Sequence, residues 1–235
     1  MEVSVCMGTK NEEKAIAGVI GDIRKARKDA EIVIVDSSTD RTPEIAKRLG
    51  ARVIRQPPMG YGVALRAALL AAKGGILITT DCDGTYPLEK IPEMVELIGK
   101  GYDVVSASRF KGKGRISTMP LLNQFGNRMF ALATNVLYGT GITDITTGMR
   151  AFRREVIHSF DWTENVGLSL ELLFKPARCG FKIAEISIDY RPRIGEVKLN
   201  PLTGGLGMVK TLLKYRLMSV AAKPAYSKDR RSRPA

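Results

Sequence analysis

The sequence predicts a single α/β domain built around a mainly parallel sheet and followed by an amphipathic C-terminal helix. Over the first hundred residues, short β-branched runs alternate with helical patterns, and such alternation produces right-handed βαβ units. The chain has 235 residues, which suits one domain of this class because such domains commonly contain roughly 200–250 residues. We therefore expect one functional module.

Each element follows from its local pattern of apolar residues. The predicted strands of the first half cover residues 3–7, 31–35, 51–55, 75–80 and 102–107, and the predicted helices cover residues 13–28, 42–49, 61–73 and 88–99. The second half is less regular and predicts helices near 120–138 and 169–179, a strand over 182–190 and a last helix over 206–222. The Gly60-x-Gly62 pair lacks the third glycine of a dinucleotide-binding loop, so we give it little weight.

The basic residues are concentrated at the C-terminus. The net charge is +13, and the last thirty residues contain eight basic side chains against one acidic side chain. Such an excess predicts a polyanionic partner, which could be nucleic acid, anionic lipid or a phosphorylated substrate. We divide the chain into a domain over 1–204, an amphipathic helix over 205–222 and a disordered basic tail over 223–235.

The last helix combines an apolar stripe with interspersed cations. A helix of this kind can lie in a lipid interface beside a polybasic tail, or it can pack on its own domain. We expect attachment to an anionic membrane surface. The apolar positions are Leu206, Val209, Leu212, Leu213, Leu217 and Val220.

Several site classes are excluded by composition. His158 is the single histidine, which removes serine–histidine triads and multi-histidine metal sites. The three cysteines are widely separated and indicate a reducing compartment rather than a disulfide framework. Because the first residues follow a strand pattern, we expect no signal peptide, and no stretch of roughly 20 apolar residues is present. We expect a cytoplasmic protein that is neither secreted nor membrane-spanning.

Acidic side chains follow the predicted strands at the edge where α/β sheets bind ligands. Asp81 and Asp83 come after one apolar run, and their i, i+2 spacing points both carboxylates the same way. Two hard oxygen ligands suit Mg2+ or Mn2+, ions that share their coordination with substrate phosphates. A lone pair of this kind can equally be a solvated turn, but Asp36 ends another predicted strand nearby.

Five motifs occur in an order that resembles glycosyltransferase family 2, and most of all its dolichyl-phosphate mannosyltransferase branch. The resemblance covers roughly residues 2–200 and implies the GT-A fold. The motifs are Asn11-Glu12-Glu13, Asp36-Ser37-Ser38-Thr39-Asp40, Asp81-Cys82-Asp83-Gly84, Ser108-Arg109-Phe110 and Thr147-Gly148-Met149-Arg150.

The resemblance implies a role for each matching residue. Asp81 and Asp83 match the ligands of the metal and the donor diphosphate, and Glu12 and Asp36 match positions that hold the nucleoside. Three further roles follow from the resemblance. Arg109 is expected to act with Asp83 in catalysis, and Arg193 and Lys198 are expected to close on the donor. The residues expected to contact the acceptor phosphate are Asn123, Asn127, Arg128 and Arg150.

The sequence also departs from the family pattern. The family's DDGSTD segment is one residue shorter here and retains only Asp36 of its leading aspartate pair, and Thr85 replaces the glutamine that often serves as a third metal ligand. In the closing loop, Val197 replaces a serine. The shortened segment leaves the base of the nucleotide open, whereas the changes at Thr85 and Val197 bear on metal affinity and on loop closure.

The implied reaction is the inverting transfer of mannose or glucose from a nucleotide-diphosphate sugar, GDP-mannose or UDP-glucose, to a polyprenyl (dolichyl) phosphate. A phosphate monoester has a second pKa near ~6, so the acceptor is a nucleophile at neutral pH without a protein base. The alternatives are a family 2 enzyme with a UDP-sugar donor and another acceptor, and a basic nucleic-acid-binding protein. Clustered carboxylates argue against nucleic acid, and a membrane partner subunit is compatible with the resemblance.

Overall fold

The computed structural model describes residues 1–111, 119–195 and 201–223, and in these ranges the chain folds around a seven-stranded sheet. The strands are β1 (Val3–Thr9), β2 (Glu31–Asp36), β3 (Arg52–Arg55), β4 (Ile76–Thr79), β5 (Val104–Ser108), β6 (Arg150–Arg153) and β7 (Ile183–Ser187). The helices are α1 (Ile16–Ala26), α2 (Thr42–Arg48), α3 (Tyr61–Ala71), α4 (Ile91–Gly99), α5 (Leu121–Tyr138), α6 (Arg154–His158), α7 (Leu168–Arg178) and α8 (Pro201–Leu217). The predicted α/β class is confirmed.

The strand order is β3-β2-β1-β4-β6-β5-β7, and every neighbouring pair is parallel except those that involve β6. Strand β6 lies between β4 and β5 and is antiparallel to both. Its first residue, Arg150, pairs with Thr79 near the end of β4 and with Ser106 in β5. The segment that leads into β6 therefore reaches the edge at which β4 and β5 end.

The sheet separates two apolar cores. Helices α1 and α4 cover one face, where isoleucines such as Ile16 and Ile91 are fully buried. Helices α3, α6 and α7 cover the other face, together with Leu212 and Tyr215 of α8. Burial on both faces explains why β2 and β4 are almost uninterrupted apolar runs rather than alternating ones.

Most sequence-predicted elements are present within a few residues of their predicted bounds, and two were missed. Strand β6 is only four residues long with arginine at both ends, so it has no apolar period to detect. Helix α6 follows it directly and ends at His158, which was expected in a loop or at a helix end.

The C-terminal helix is displaced from its predicted position. Helix α8 begins at Pro201, where proline is favoured because the first helical N–H needs no partner, and ends at Leu217. The predicted boundary at 204/205 thus falls inside α8. After Leu217, the amide of Lys223 donates to the carbonyl of Ser159. None of the helices in the described ranges is long and apolar enough to cross a bilayer.

Candidate active site

The two aspartates after β4 lie at the C-terminal edge of the sheet. Asp83 is buried, and its Oδ1 accepts hydrogen bonds from the amide (3.0 Å) and the hydroxyl (2.6 Å) of Thr85. Its Oδ2 forms an ion pair with Nη2 of Arg193 at 2.5 Å, but no described residue donates a hydrogen bond to this buried oxygen. Thr85 therefore orients the carboxylate, and the second oxygen faces the guanidinium of Arg193.

Asp81 is half-buried and is oriented in a similar way. The hydroxyl of Tyr61 donates to Oδ1 of Asp81 at 2.6 Å. On its other side the carboxylate lies against Gly148, where an added Cβ would be 2.8 Å from Oδ2. Burial, and then the charge of Asp83, raise the pKa of Asp81 to about 6, while Arg193 and Arg109 oppose this shift. The charges of Asp83, Arg109 and Arg193 therefore all act on the pKa of Asp81.

The paired carboxylates fit a divalent cation of the Mg2+ or Mn2+ type. Each aspartate has one oxygen held by a hydrogen-bond donor, and the buried Oδ2 of Asp83 has a cationic neighbour, Arg193, but no hydrogen bond. Hard cations take oxygen ligands and usually complete their shell with water and substrate phosphates. In the described ranges, no group of three or more His, Cys, Asp or Glu side chains could enclose a metal. The described residues therefore offer two carboxylate ligands and leave most of the coordination shell open.

Arg109 follows β5 and is held by Asp144. Its Nε and Nη2 donate to the two carboxylate oxygens of Asp144 at 2.6 and 2.8 Å, and its amide donates to the same side chain at 3.0 Å. Nη2 also donates to Thr146 at 2.7 Å. The guanidinium lies 5.3 Å from the ring centroid of Tyr190, and its Nη1 has no hydrogen-bond acceptor among the described residues. Arg109 is thus fixed rigidly with one nitrogen unused.

Asp144 is the functional residue that the sequence reasoning missed most clearly. Burial alone would raise the pKa of its carboxyl, but the charge and hydrogen bonds of Arg109 outweigh burial and lower it. A signal for it existed, because Asp144 is the single acidic residue between Asp103 and Glu155. A lone carboxylate within a basic stretch is a natural partner for a buried cation.

Arg150 lies in the interior of the protein. Its guanidinium donates to the carbonyls of Ser169 and Ile145, both at 2.6 Å, and to the hydroxyl of Ser106 at 3.3 Å. Only 2% of its surface is exposed, and burial lowers its pKa to about 10. In this arrangement Arg150 ties β6 to α7 and to the segment before β6. Its predicted contact with the acceptor phosphate stays a prediction.

Asp36 ends β2 with both carboxylate oxygens engaged. Oδ1 accepts from the hydroxyls of Thr9 (2.7 Å) and Ser38 (2.6 Å), and Oδ2 accepts from the amide of Ser38 (3.1 Å) and pairs with Arg55. A carboxylate has about four acceptor positions, so these donors fill it. A nucleoside that bonded to Asp36 would have to displace one of these donors. The predicted contact of Asp36 with the nucleoside stays a prediction. Arg55 was not foreseen.

Glu12 and the loop over 191–195 lie next to each other near the aspartates. The amide of Glu12 donates to Thr42 at 2.8 Å, and an added Cβ at Gly195 would lie 3.6 Å from Oε2 of Glu12. The loop packs directly on the aspartate segment, because the amide of Ile194 donates to the carbonyl of Asp83 at 2.8 Å. Lys198, the second predicted cation of this loop, lies outside the described residues.

The predicted acceptor-phosphate residues of α5 lie in its first two turns. Asn123 and Asn127 are half-buried, and Nδ2 of Asn127 lies 3.6 Å from the sulfur of Met119. Arg128 is exposed, with its guanidinium 5.5 Å from the ring centroid of Phe110. Phe110 directly follows Arg109, so α5 begins beside the site.

Comparison with known proteins assigns the chain to a family. The model of "Glycosyl transferase family 2" matches residues 4–160, a segment that contains both aspartates, Arg109, Asp144 and Arg150. The chain belongs to glycosyltransferase family 2. The predicted family and the prediction of a glycosyltransferase are both confirmed.

Relatives within family 2 agree with this assignment. The chain is 53% identical over 217 residues to the dolichyl-phosphate hexose transferase of Haloferax volcanii, with 92% of this chain and 94% of that protein covered. It is 35% identical to the low-salt glycan biosynthesis hexosyltransferase Agl6 of the same organism, covering 90% of this chain but 53% of that protein.

A solved structure shows the same fold. The glucosyl-3-phosphoglycerate synthase of Mycobacterium tuberculosis, solved in complex with Mn2+ and UDP-glucose, superimposes with a TM-score of 0.70. It is 25% identical, and 92% of this chain and 78% of that chain are covered. The predicted GT-A architecture is confirmed.

Proposed function

We propose that the protein transfers a hexose, mannose or glucose, from a nucleotide-diphosphate sugar to a polyprenyl phosphate with inversion at the sugar C1. The observation that carries the proposal is the placing of Asp81, Asp83, Arg109 and Arg193 at one sheet edge, beside an exposed apolar helix. Carboxylates that hold a cation and arginines that face phosphates suit a reaction between two phosphorylated substrates. The name of the Haloferax relative supports a dolichyl-phosphate acceptor.

For the donor, we propose that Asp81 and Asp83 hold Mg2+ or Mn2+ at the diphosphate. The bound cation would supply Lewis-acid stabilisation of the charge on the departing nucleotide. Arg193 already pairs with Asp83. Its loop therefore lies where it could close over the diphosphate of a bound donor. Glu12 and Asp36 would border the nucleoside, and GDP-mannose and UDP-glucose are the two donors to compare.

The acceptor phosphate needs no protein base in this scheme, because a phosphate monoester is largely a dianion at neutral pH. The single histidine is consistent with this. His158 ends α6, which follows β6 at the sheet edge opposite the aspartates, and burial is the main cause that lowers its pKa. The work left to the protein is positioning and charge neutralisation. Asn123, Asn127 and Arg128 of α5 would receive the acceptor phosphate.

We propose that α5 and α8 form the surface that meets an anionic membrane. Each helix leaves a row of large apolar side chains exposed to solvent, and the two helices contact each other through Tyr138, whose hydroxyl donates to the carbonyl of Leu212. In α8 the row is Val209, Leu213 and Leu217. In α5 the exposed apolar residues are Leu121, Leu122, Phe125, Met129, Leu132 and Val136.

The last helix was predicted either to pack on its own domain or to lie in a lipid interface, and features of α8 support both arrangements. Thr211, Leu212 and Tyr215 are buried against the domain, whereas the neighbouring apolar face is exposed. Exposed Lys210 and Arg216 lie at its border, and cations near an anionic surface contribute about 1 kcal/mol each. We place the surface on the cytoplasmic side, because three cysteines without a disulfide suit a reducing compartment.

One experiment tests the reaction. The protein is incubated with a panel of nucleotide sugars, a polyprenyl phosphate and Mg2+ or Mn2+, and the lipid product is identified by mass spectrometry. A hexosyl phospholipid from GDP-mannose or UDP-glucose is the expected result. Transfer only to a saccharide would favour the alternative acceptor class, and no transfer with any donor would contradict the proposal.

Vesicle flotation tests the membrane surface separately. Leu122→Gln should reduce binding to vesicles of phosphatidylglycerol and phosphatidylcholine, because Leu122 is 75% exposed on the α5 face. Leu49→Gln is the matched control, since Leu49 is also exposed but follows α2 at the far end of the sheet. Equal loss in both variants, or no loss in either, would contradict this assignment.

A further inference from the structure

Tyr61, the first residue of α3, contacts the active site from the Gly60-x-Gly62 motif that sequence analysis left without a role. Its hydroxyl donates to Oδ1 of Asp81 at 2.6 Å. This bond fixes the rotation of the carboxylate, whose other oxygen lies against the backbone of Gly148. Asp81 is thus held between a tyrosine hydroxyl and a glycine.

Tyr61 is in turn held by residues 163–167, which we call the bridge segment. Asn165 of the bridge segment accepts from the amide of Gly62 at 2.9 Å and donates to the carbonyl of Met59 at 3.0 Å. An added Cβ at Gly60 or at Gly62 would lie only 2.2 Å from an atom of Asn165. The two glycines on either side of Tyr61 are therefore required for the bridge segment to lie this close.

The opposite side of the bridge segment is packed equally closely against α8. An added Cβ at Gly167 would lie 2.2 Å from the hydroxyl of Thr211. That hydroxyl donates to Oε2 of Glu164 at 2.9 Å, and Lys214 pairs with Oε1 of Glu164 at 2.7 Å. The bridge segment is therefore tightly packed between α8 and the start of α3.

We propose that Tyr61 is a positioning residue for Asp81, and that the bridge segment makes this positioning depend on how α8 is seated. The proposal rests on the metal-binding role proposed above for Asp81. Hydrogen-bond partners of metal ligands fix ligand orientation, and their removal commonly weakens metal binding by about 10–100-fold. A helix of the membrane-facing surface is thereby connected to a metal ligand through close packing and hydrogen bonds.

Binding of Mn2+ in the presence of UDP or GDP, followed by electron paramagnetic resonance, tests the positioning role without relying on turnover. Tyr61→Phe removes only the hydroxyl and should raise the Mn2+ concentration for half-saturation about 10-fold. Asn165→Ser should also raise this Mn2+ concentration, because the start of α3 loses the Asn165 hydrogen bonds to Met59 and Gly62. Tyr102→Phe is the matched control: it makes the same chemical change just before β5, at the opposite sheet edge, and should leave Mn2+ binding unchanged.

The connection to α8 is tested in the same assay. Thr211→Val removes the bond to Glu164 at nearly constant volume and should weaken Mn2+ binding by a smaller factor, about 3-fold. Ser219→Val makes a comparable change at an exposed position beyond the end of α8 and should have no effect. Melting temperatures of all variants are measured alongside, so that loss of folding is distinguished from loss of positioning.

The possible results separate the two proposals. If the wild-type protein binds Mn2+ no better than Asp81→Ala, then the metal site itself is wrong and the positioning role is overturned with it. If the wild type binds Mn2+ and folded Tyr61→Phe binds it equally well, the positioning role alone is overturned. If Tyr61→Phe is impaired and Thr211→Val is not, the link to α8 is overturned.

Discussion

Removal of the Asp144 carboxylate should destabilise the protein strongly. Asp144 is fully buried and Arg109 is 6% exposed, and three hydrogen bonds of 2.6, 2.8 and 3.0 Å join them. Asp144→Ala leaves a buried guanidinium without a counter-ion, and such a loss typically costs about 3–5 kcal/mol. For a chain of this size, each kcal/mol lowers Tm by roughly 2–4 °C, so we expect a decrease of roughly 6–20 °C.

Thermal unfolding followed by circular dichroism measures this effect, and two comparison variants test its cause. Asp22→Ala removes one partner of an exposed ion pair with Lys25 and should change Tm little, because surface pairs contribute little. The double variant Arg109→Met, Asp144→Leu should recover most of the stability without recovering sugar transfer, because buried ion pairs can be replaced by apolar residues of similar volume.

The effect should also depend on pH in a defined direction. The pKa of Asp144 is lowered in the folded protein, so its contribution is complete above the ordinary carboxyl pKa of about 4 and is lost as the pH falls through the folded value. The difference between wild type and Asp144→Ala should therefore shrink below about pH 4. A variant that melts at the wild-type temperature at pH 7 would refute the assignment of Asp144 as the counter-ion of Arg109.

Four further predictions concern the reaction and the membrane. Asp81→Ala or Asp83→Ala should abolish transfer in folded protein, and full activity in both would exclude the metal site. Deletion of residues 224–235 should weaken binding to anionic vesicles, most clearly at low salt; equal binding would contradict the role of the tail. His158→Ala should preserve the rise in rate between about pH 5 and 7, and the inflection should move when the acceptor is a phosphonate of different pKa. Arg109→Ala should lower kcat more than it weakens donor binding, and Arg109→Lys should recover only part of kcat.

The sequence predicted the parallel half of the sheet well because its strands are buried on both faces. In β2, for example, four consecutive β-branched residues over 32–35 are flanked by acidic residues, and this signal is strong. The position of the aspartates at the sheet edge followed from the same reasoning. Strand β6 could not be found in this way, because its arginines are stabilised by tertiary contacts that no local pattern reveals.

The chemistry of the site was less predictable than its location. The charge of Arg109 was evident from its motif, but its pairing with Asp144 joins residues 35 positions apart. The bond from Tyr61 to Asp81 depends on a glycine-flanked turn whose shape is set by Asn165, a residue more than 100 positions away. The segments that contain Tyr61, Asp81 and Asn165 come together only in the folded chain.

The insertion of β6 between β4 and β5 has a consequence for how the protein is made. A nascent chain that has emerged only as far as Arg109, just after β5, contains both aspartates, yet β4 and β5 have no strand between them. Two unpaired strand edges of this kind invite association with other chains. The ribosome must deliver about forty more residues, including Asp144 and Gly148, before the gap is filled. Stalled or prematurely terminated chains should therefore be prone to aggregation, and chaperone capture during synthesis should be strongest between the emergence of β5 and that of β6.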